Sequence, residues 1–204
     1  MPWWLWLLPL FLLAPKQAKA GELPPPPQPP DPDPDPGDDQ PYEPPPDPVP
    51  GLSPLWPLPS SPRKWRRTSF GSPRPWGSSS PTGHHKAIDI RAKQNDPVVV
   101  PTNGVVVGDT GWVGPGTRGV LFQSFGGPML VFGAVAPGSY PAKGTELKRG
   151  ELVARVGKYP GGSTMLHFEV YKVGIRKRVR WPYGKPQPPQ LVDPHSYLLA
   201  TVTT

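Results

Sequence analysis

The histidines are the side chains of this sequence best suited to chemistry, and they are unevenly placed. The chain has four, His84, His85, His167 and His195, and it has no cysteine. Without thiols there is no thiolate nucleophile, and any metal ion must be held by nitrogen and oxygen ligands. His85 lies four residues before Asp89. In a fully extended strand their side chains would be about 13 Å apart, so the backbone must bend if both are to bind one metal ion.

His167 lies in a predicted strand, residues 165–170, with the sequence Met-Leu-His-Phe-Glu-Val. Strand alternation places residues 165, 167 and 169 on one face and their apolar neighbours on the other. The apolar face is expected to point into the core, so His167 points away from it. The same pattern is typical of a solvated or hydrogen-bonded histidine without any catalytic role.

Short apolar runs separated by glycine and proline follow one another from about residue 63 onward. This pattern is typical of an antiparallel sandwich or barrel, and no stretch shows sustained helical periodicity. We therefore predict an all-β fold built as an antiparallel β-sheet sandwich. The predicted strands are residues 98–100, 104–107, 120–122, 129–132, 152–156 and 165–170.

The first 62 residues have a different composition from the rest. Residues 1–20 hold a compact apolar block that ends in Ala-Lys-Ala, which predicts a signal peptide. The block is shorter than the roughly 20 apolar residues of a membrane span, yet it lacks the usual preceding basic residues, so an uncleaved anchor is the alternative. Residues 21–62 are rich in proline and aspartate and predict a disordered, extended spacer. The folded domain is then expected to span residues 63–204.

Charge is segregated along the chain. Residues 21–60 hold eight acidic and no basic side chains, whereas residues 61–204 hold 20 basic and 7 acidic ones, a formal net charge of +13. A basic domain outside the cell is attracted to anionic wall polymers, although the charge could also serve solubility alone. The dense basic run at residues 176–180 has no interleaved aromatic side chains, so we do not expect nucleic acid binding.

An ordered series of motifs resembles the lysostaphin/LytM family of zinc metallopeptidases. Residues 85–89, His-Lys-Ala-Ile-Asp, are similar to the family's first motif of histidine, any residue, glycine, an aliphatic residue and aspartate, with Ala87 in place of the glycine. Residues 165–170 resemble the segment that normally carries histidine, any residue, histidine. Residues 192–198 resemble the family's closing segment. The resemblance covers roughly residues 68–198 and implies the family's antiparallel β fold.

The resemblance implies a zinc site with His85, Asp89 and His167 as ligands, and it also implies two losses. Met165 stands where the family has a histidine two residues before the last ligand. Ala134 falls at the position of the other catalytic histidine. Because those histidines transfer protons and stabilise the oxyanion, and methionine and alanine can do neither, we expect little peptidase activity.

The implied function is therefore that of a catalytically degenerate, zinc-binding module, secreted or periplasmic, acting at the cell envelope on peptidoglycan or on a cell-wall hydrolase. The alternative is an active peptidoglycan metalloendopeptidase with a rearranged general base, drawn from His84, His195 or Glu169. Apart from Zn²⁺ no small-molecule cofactor is expected, and membrane contact is expected only if residues 1–20 remain uncleaved. A lipoyl or biotinyl carrier domain has similar hairpins, but the methionine-flanked lysine that it needs is absent from the chain.

Overall fold

The structure, a computed structural model, describes residues 52–65, 70–74, 83–113, 116–158 and 164–203. The predicted signal peptide, residues 1–20, and the predicted spacer up to residue 51 lie outside the described residues. Within the described ranges no helix is both long and apolar enough to cross a membrane.

The described residues form short strands and one short helix, numbered in chain order. They are β1 (Pro73–Arg74), β2 (Gly83–His84), β3 (Ile88–Arg91), β4 (Pro97–Val99), β5 (Gly104–Trp112), β6 (Arg118–Ser124), β7 (Met129–Val135), β8 (Glu146–Leu147), β9 (Leu152–Arg155), β10 (Met165–Tyr171), β11 (Leu191–Val192) and α1 (Pro194–Leu199).

One antiparallel sheet dominates the domain. Its strand order is β11-β10-β7-β6-β5-β8, and β3 also pairs with β10. Two smaller antiparallel pairs, β4 with β9 and β1 with β2, complete the described strands. The prediction of an antiparallel all-β domain is confirmed, and each of the six predicted strands is present. Four of them are longer than the sequence pattern indicated, whereas β9 ends one residue earlier and β4 is shifted by one residue.

Periodicity did not predict the helix α1, which has only six residues, and the list of predicted strands did not include the short strands β1, β2, β3, β8 and β11. The start of α1 follows ordinary capping chemistry: the Asp193 carboxylate accepts a hydrogen bond from the His195 backbone N–H at 2.9 Å, and Pro194 occupies the first turn. Leu198 is fully buried and anchors the helix to the core.

The core lies on the faces of the central strands β6, β7 and β10. All seven residues of β7 are buried, because β6 and β10 pair with it on both sides. Aromatic rings pack across these strands in tilted pairs, at centroid separations of 6.2 Å for Phe122–Phe132 and 5.7 Å for Phe132–Phe168. This rigid centre carries His167 on its opposite face.

The last residues of the predicted spacer pack on this domain. Leu55, Trp56 and Leu58 are 3%, 2% and 0% exposed, and Trp56 and Leu58 belong to the main core. The Trp56 backbone N–H donates to the Val202 carbonyl at 2.8 Å, which ties the segment to the C-terminal residues. The packed region therefore includes residues 55–58, which lie ahead of the boundary that proline content indicated.

Candidate metal centre

Strand register places Asp89 and His167 side by side. β3 and β10 are antiparallel, and Asp89 lies directly opposite His167 in their ladder. Side chains of directly opposed residues share one face of a sheet. On the other side of β10, His167 is paired with Gly133 of β7. A Cβ built on Gly133 would lie 2.9 Å from His167 Cδ2, so the absence of a side chain there leaves room for the imidazole.

His85 reaches the same place through a bend. It lies before β3, and the chain bends at the buried residue Ala87 before β3 begins. The bend that the sequence required is present, because His85 Nε2 lies only 3.3 Å from Asp89 Oδ1.

Three potential ligand atoms meet at this point. His85 Nε2 lies 3.1 Å from His167 Nδ1, and His167 Nδ1 lies 3.3 Å from Asp89 Oδ1. Ligands about 2.0–2.1 Å from a tetrahedral zinc ion are about 3.4 Å apart, which is close to the side of this triangle. Two imidazoles and one carboxylate are also a ligand set that zinc accepts with a fourth position open. These residues therefore fit a zinc ion, and they form a group that could hold a metal.

Glu169 sets the tautomer of His167. Its Oε1 lies 2.8 Å from His167 Nε2. An ionised carboxylate can only accept hydrogen bonds, so Nε2 carries a proton, and Nδ1 is the nitrogen that faces Asp89 and His85. A carboxylate behind a histidine in this way orients the ring and raises its basicity as a ligand.

Glu169 is itself fully buried and strongly held. Arg178 donates from Nε to Oε2 at 3.1 Å and from Nη2 to Oε1, and the Tyr171 hydroxyl donates to Oε2 at 2.6 Å. Lys86 Nζ lies 3.9 Å away. Burial alone would raise the pKa of Glu169, but the Arg178 charge, the His167 hydrogen bond and Lys86 outweigh it and hold the pKa well below its usual range. The carboxylate is thus ionised.

The pKa values of the two imidazoles are shifted in opposite directions. Burial lowers the pKa of His85, and its hydrogen bond to Asp89 offsets this only in part. Burial would also lower the pKa of His167, but hydrogen bonds to Asp89 and Glu169 raise it overall. Burial would raise the pKa of Asp89, yet its bonds to His167 and His85 depress it strongly. Arg74 adds an ion pair to the second Asp89 oxygen at 3.2 Å.

Sequence comparison supports the same interpretation. Residues 83–180, which contain all three converging side chains, match the profile of peptidase family M23. Residues 83–180 thus form a peptidase family M23 domain. Comparison with curated proteins gave no match.

Solved structures of several M23-type peptidases resemble this M23 domain. The catalytic domain of the antimicrobial peptidase lysostaphin from Staphylococcus simulans is 18% identical, with a TM-score of 0.46 over 66% of this chain and 92% of that one. A zinc-containing peptidase from Vibrio cholerae is 19% identical, with a TM-score of 0.47 over 68% of this chain and 41% of that one. A mutant catalytic domain of the prophage-encoded M23 protein EnpA from Enterococcus faecalis is 22% identical, with a TM-score of 0.44 over 65% and 91%.

Met165 shares a strand with His167, and Ala134 is adjacent in sequence to Gly133, the residue that pairs with His167. Met165 is two residues before His167 on β10, hence on the same strand face, and is half-buried. Ala134 follows Gly133 on β7 and is 1% exposed. The ladder shifts there, because Arg118 pairs with Val135 while Gly119 pairs with Gly133, and Ala134 takes a φ of 61°. Neither side chain can transfer a proton.

The three candidate replacement bases have different surroundings. Glu169 lies behind His167 and is held by Arg178. His195 lies on α1, where its ring makes an edge contact with the Trp65 ring at a centroid separation of 5.8 Å. It is not part of the group formed by His85, Asp89 and His167. His84 lines a cavity of about 520 Å³ together with His85 and His167. Of the three, His84 is thus the one that shares a cavity with the two converging histidines.

The sequence did not predict which cations pair with the carboxylates of the candidate metal centre. Arg74 pairs with Asp89, while Arg178 and Lys86 face Glu169. Arg178 lies in the basic run at residues 176–180, and Lys86 lies inside the first motif, so both were visible as charges. Their partners were not, because a contact between residues so far apart in sequence depends on the path of the chain between them.

Proposed function

We propose that this chain is a secreted, zinc-binding M23 module that acts at the cell wall and has lost efficient peptidase catalysis. The observation that carries the proposal is the convergence of His85, Asp89 and His167 within 3.1–3.3 Å of one another, in a chain that has methionine at position 165 and alanine at position 134. The first half of that observation supports metal binding. The second supports loss of proton transfer.

His85 Nε2, His167 Nδ1 and one Asp89 oxygen would hold the ion. Zinc bound there would supply Lewis acidity toward a peptide carbonyl. Cleavage also needs a proton to be removed and returned, and a general acid or base contributes about 10²–10⁴-fold to the rate. A centre that lacks both histidines can therefore still bind zinc, but it catalyses peptide cleavage poorly.

The partner that fits best is peptidoglycan or a cell-wall hydrolase. The region from residue 61 onward has a formal net charge of +13, which favours association with an anionic wall. The predicted signal peptide, residues 1–20, and the spacer that follows it would deliver the domain to that location and hold it away from its point of export.

The test combines metal analysis with wall binding and hydrolysis. The purified protein is expected to contain about one zinc per chain, to sediment with insoluble peptidoglycan and to release no muropeptides. His85→Ala should lose the zinc, whereas His195→Ala, a histidine outside the site, should keep it. A protein that contains no zinc and ignores peptidoglycan would end this proposal.

An active metalloendopeptidase is the second candidate, and His84 is the observation that favours it. His84 Nδ1 donates to the Gly71 carbonyl at 2.8 Å, which leaves Nε2 as a proton acceptor on a residue that lines the cavity shared with His85 and His167. Muropeptide cleavage that disappears in both His84→Ala and His85→Ala would establish this function.

Restoring the two histidines separates the candidates. Met165→His combined with Ala134→His should create hydrolysis of peptidoglycan if the site is otherwise intact. The positive φ of 61° at Ala134 is less costly for histidine than for most residues, because histidine is enriched in that region. If the unmodified chain already cleaves peptidoglycan and the double variant is no faster, the degenerate interpretation is wrong.

A further inference from the structure

The segment between β10 and β11, residues 172–190, forms a strap over the candidate metal centre. It contains no helix and no strand of the named sheets. Connections longer than about 15 residues without regular structure are uncommon in compact domains and usually functional. The ends of the strap meet, because the Lys172 backbone N–H donates to the Gln190 carbonyl at 2.9 Å.

Three contacts fix the strap to the metal-site segment. The His84 backbone N–H donates to the Trp181 carbonyl at 2.8 Å, and Lys86 Nζ donates to the Val179 carbonyl at 2.7 Å. The Trp181 ring also lies 4.8 Å from the His84 ring. The strap is therefore held in place by the residues that lead into the first metal-binding motif.

The cavity of about 520 Å³ lies between the strap and the metal centre. Its wall carries three cations, Lys86, Arg178 and Arg180, and no carboxylate is among its lining residues in the described ranges. Trp181 and Val113 supply apolar surface next to these charges. The cavity thus combines an apolar wall, positive charge and access to two of the converging histidines.

Two carboxylates, Glu169 and Asp89, lie next to residues of the cavity wall. Glu169 is fully buried, and both Arg178 and Lys86 face it, so one negative charge serves two cations. Asp89 is paired with Arg74 and is shared by the two histidines. Arg180 adds another positive charge to the lining. A cleft lined by one sign of charge concentrates ligands of the opposite sign.

We propose that this cavity binds the free carboxylate of a peptide, with the strap residues Arg178 and Arg180 and the neighbouring Lys86 providing the positive field. The inference rests on the proposed function, in which the domain binds wall peptides, and it adds the group that is recognised. Trp181 and Val113 would contact the aliphatic part of such a peptide. The stem peptides of peptidoglycan carry free carboxylates and match this description.

The test uses two peptides that differ in one group, acetyl-Ala-Ala with a free C-terminal carboxylate and the same dipeptide as its amide. Both are titrated calorimetrically into the full chain, once loaded with zinc and once after chelation. We expect the acid to bind at least about 10-fold more tightly than the amide, because hydrogen bonds between a cation and a carboxylate are stronger than those to a neutral amide. Arg180→Gln should reduce this preference several-fold. Lys185→Gln, which removes a charge from the strap outside the cavity, should leave it unchanged.

Each outcome bears on a separate claim. Equal affinity for acid and amide in zinc-loaded protein overturns the carboxylate site and leaves the metal centre standing. A chain that binds no zinc but still prefers the acid removes the metal centre and supports the cavity. Inorganic phosphate that binds more tightly than the peptide acid would show that the cavity selects another anion, and this would also overturn the inference.

Discussion

At the scale of single residues, the most constrained group is the Glu169 carboxylate. It is 0% exposed and receives hydrogen bonds from His167, Arg178 and Tyr171. A buried ion pair is costly to break from one side, because removal of one partner leaves an uncompensated charge. The orientation of His167 therefore depends on residues that are not themselves candidate metal ligands.

A double-mutant cycle should reveal this dependence. Arg178→Met alone is expected to destabilise the fold by about 3 kcal/mol, and Glu169→Gln alone by a similar amount, because each leaves the other group buried with poorer compensation. The double variant should be more stable than the sum of the two losses implies, by about 1–3 kcal/mol. Urea denaturation of the zinc-free proteins measures all four values. Strict additivity would show that the pair does not act as a unit.

Acid should weaken the zinc-free protein through the same carboxylate. The folded-state pKa of Glu169 is held well below the ordinary value of 4.5, so its contribution to stability is complete above that value and is lost as the pH falls toward the folded pKa. The urea concentration at the unfolding midpoint is expected to decrease as the pH falls below about 4.5. Glu169→Gln should make this dependence shallower, since glutamine does not titrate there, and Asp89, whose pKa is also depressed, should account for the remainder. Glu146→Gln, at an exposed position, should follow the unmodified chain, and if both variants give the same curve the assignment is wrong.

At the scale of elements, the site depends on the order of three neighbouring strands. β10 lies between β3, which brings Asp89, and β7, which brings Gly133. A strand pairing fixes which residues face one another, and a shift by one residue would turn every side chain to the other face. The ladder between β3 and β10 is therefore what places an imidazole beside a carboxylate.

Gly133→Ala should test how closely β7 approaches the site. The added Cβ would lie 2.9 Å from His167 Cδ2 and 2.6 Å from Val113 Cγ1, so the imidazole must move. We expect zinc affinity, measured by competition with a chelator, to fall at least about 10-fold, as it does when groups that support a ligand are disturbed. Gly138→Ala adds a Cβ at a φ of 71°, a strained backbone conformation that Gly133 does not have, but no atom lies within 4 Å of the new Cβ. That control should lose stability without losing zinc affinity, and equal zinc affinity in both variants would contradict the prediction.

At the scale of the whole molecule, residues 55–58, which precede the domain boundary predicted from composition, pack into the domain. Leu55, Trp56 and Leu58 are buried, and the segment is bonded to Val202 near the other end of the chain. Arg63 extends this link, because its guanidinium donates to the Leu198 carbonyl at 3.0 Å. The two ends of the folded unit thus stabilise each other.

Trp56→Ala in the full chain should therefore be strongly destabilising. Truncation of a buried tryptophan costs about 3–5 kcal/mol through lost transfer free energy and the cavity that remains. Leu52→Ala, at a side chain that is 62% exposed, should cost less than about 0.5 kcal/mol. Thermal or urea unfolding distinguishes the two, and a near-neutral Trp56→Ala would show that the segment does not contribute to the fold.

The sequence by itself determined the class of fold and the residues that could bind a metal. Short runs of alternating apolar residues encode strands locally, and His85, Asp89 and His167 were recognisable by motif. The sequence also indicated that Met165 and Ala134 replace proton-handling groups. These properties depend on residue type and on spacing within short segments.

Tertiary structure alone decided which of these groups meet and what surrounds them. The buried cluster of Glu169, Arg178 and Lys86, the burial of Leu55, Trp56 and Leu58, and the cavity beneath the strap all join residues that are distant in the chain or fall in segments of low-complexity composition. No local preference specifies such contacts, because their geometry follows from how the strands pair and how the connecting segments return to the sheet. Composition assigned residues 52–62 to a spacer for the same reason: proline content describes the backbone of a segment, whereas burial depends on the surface that the segment meets.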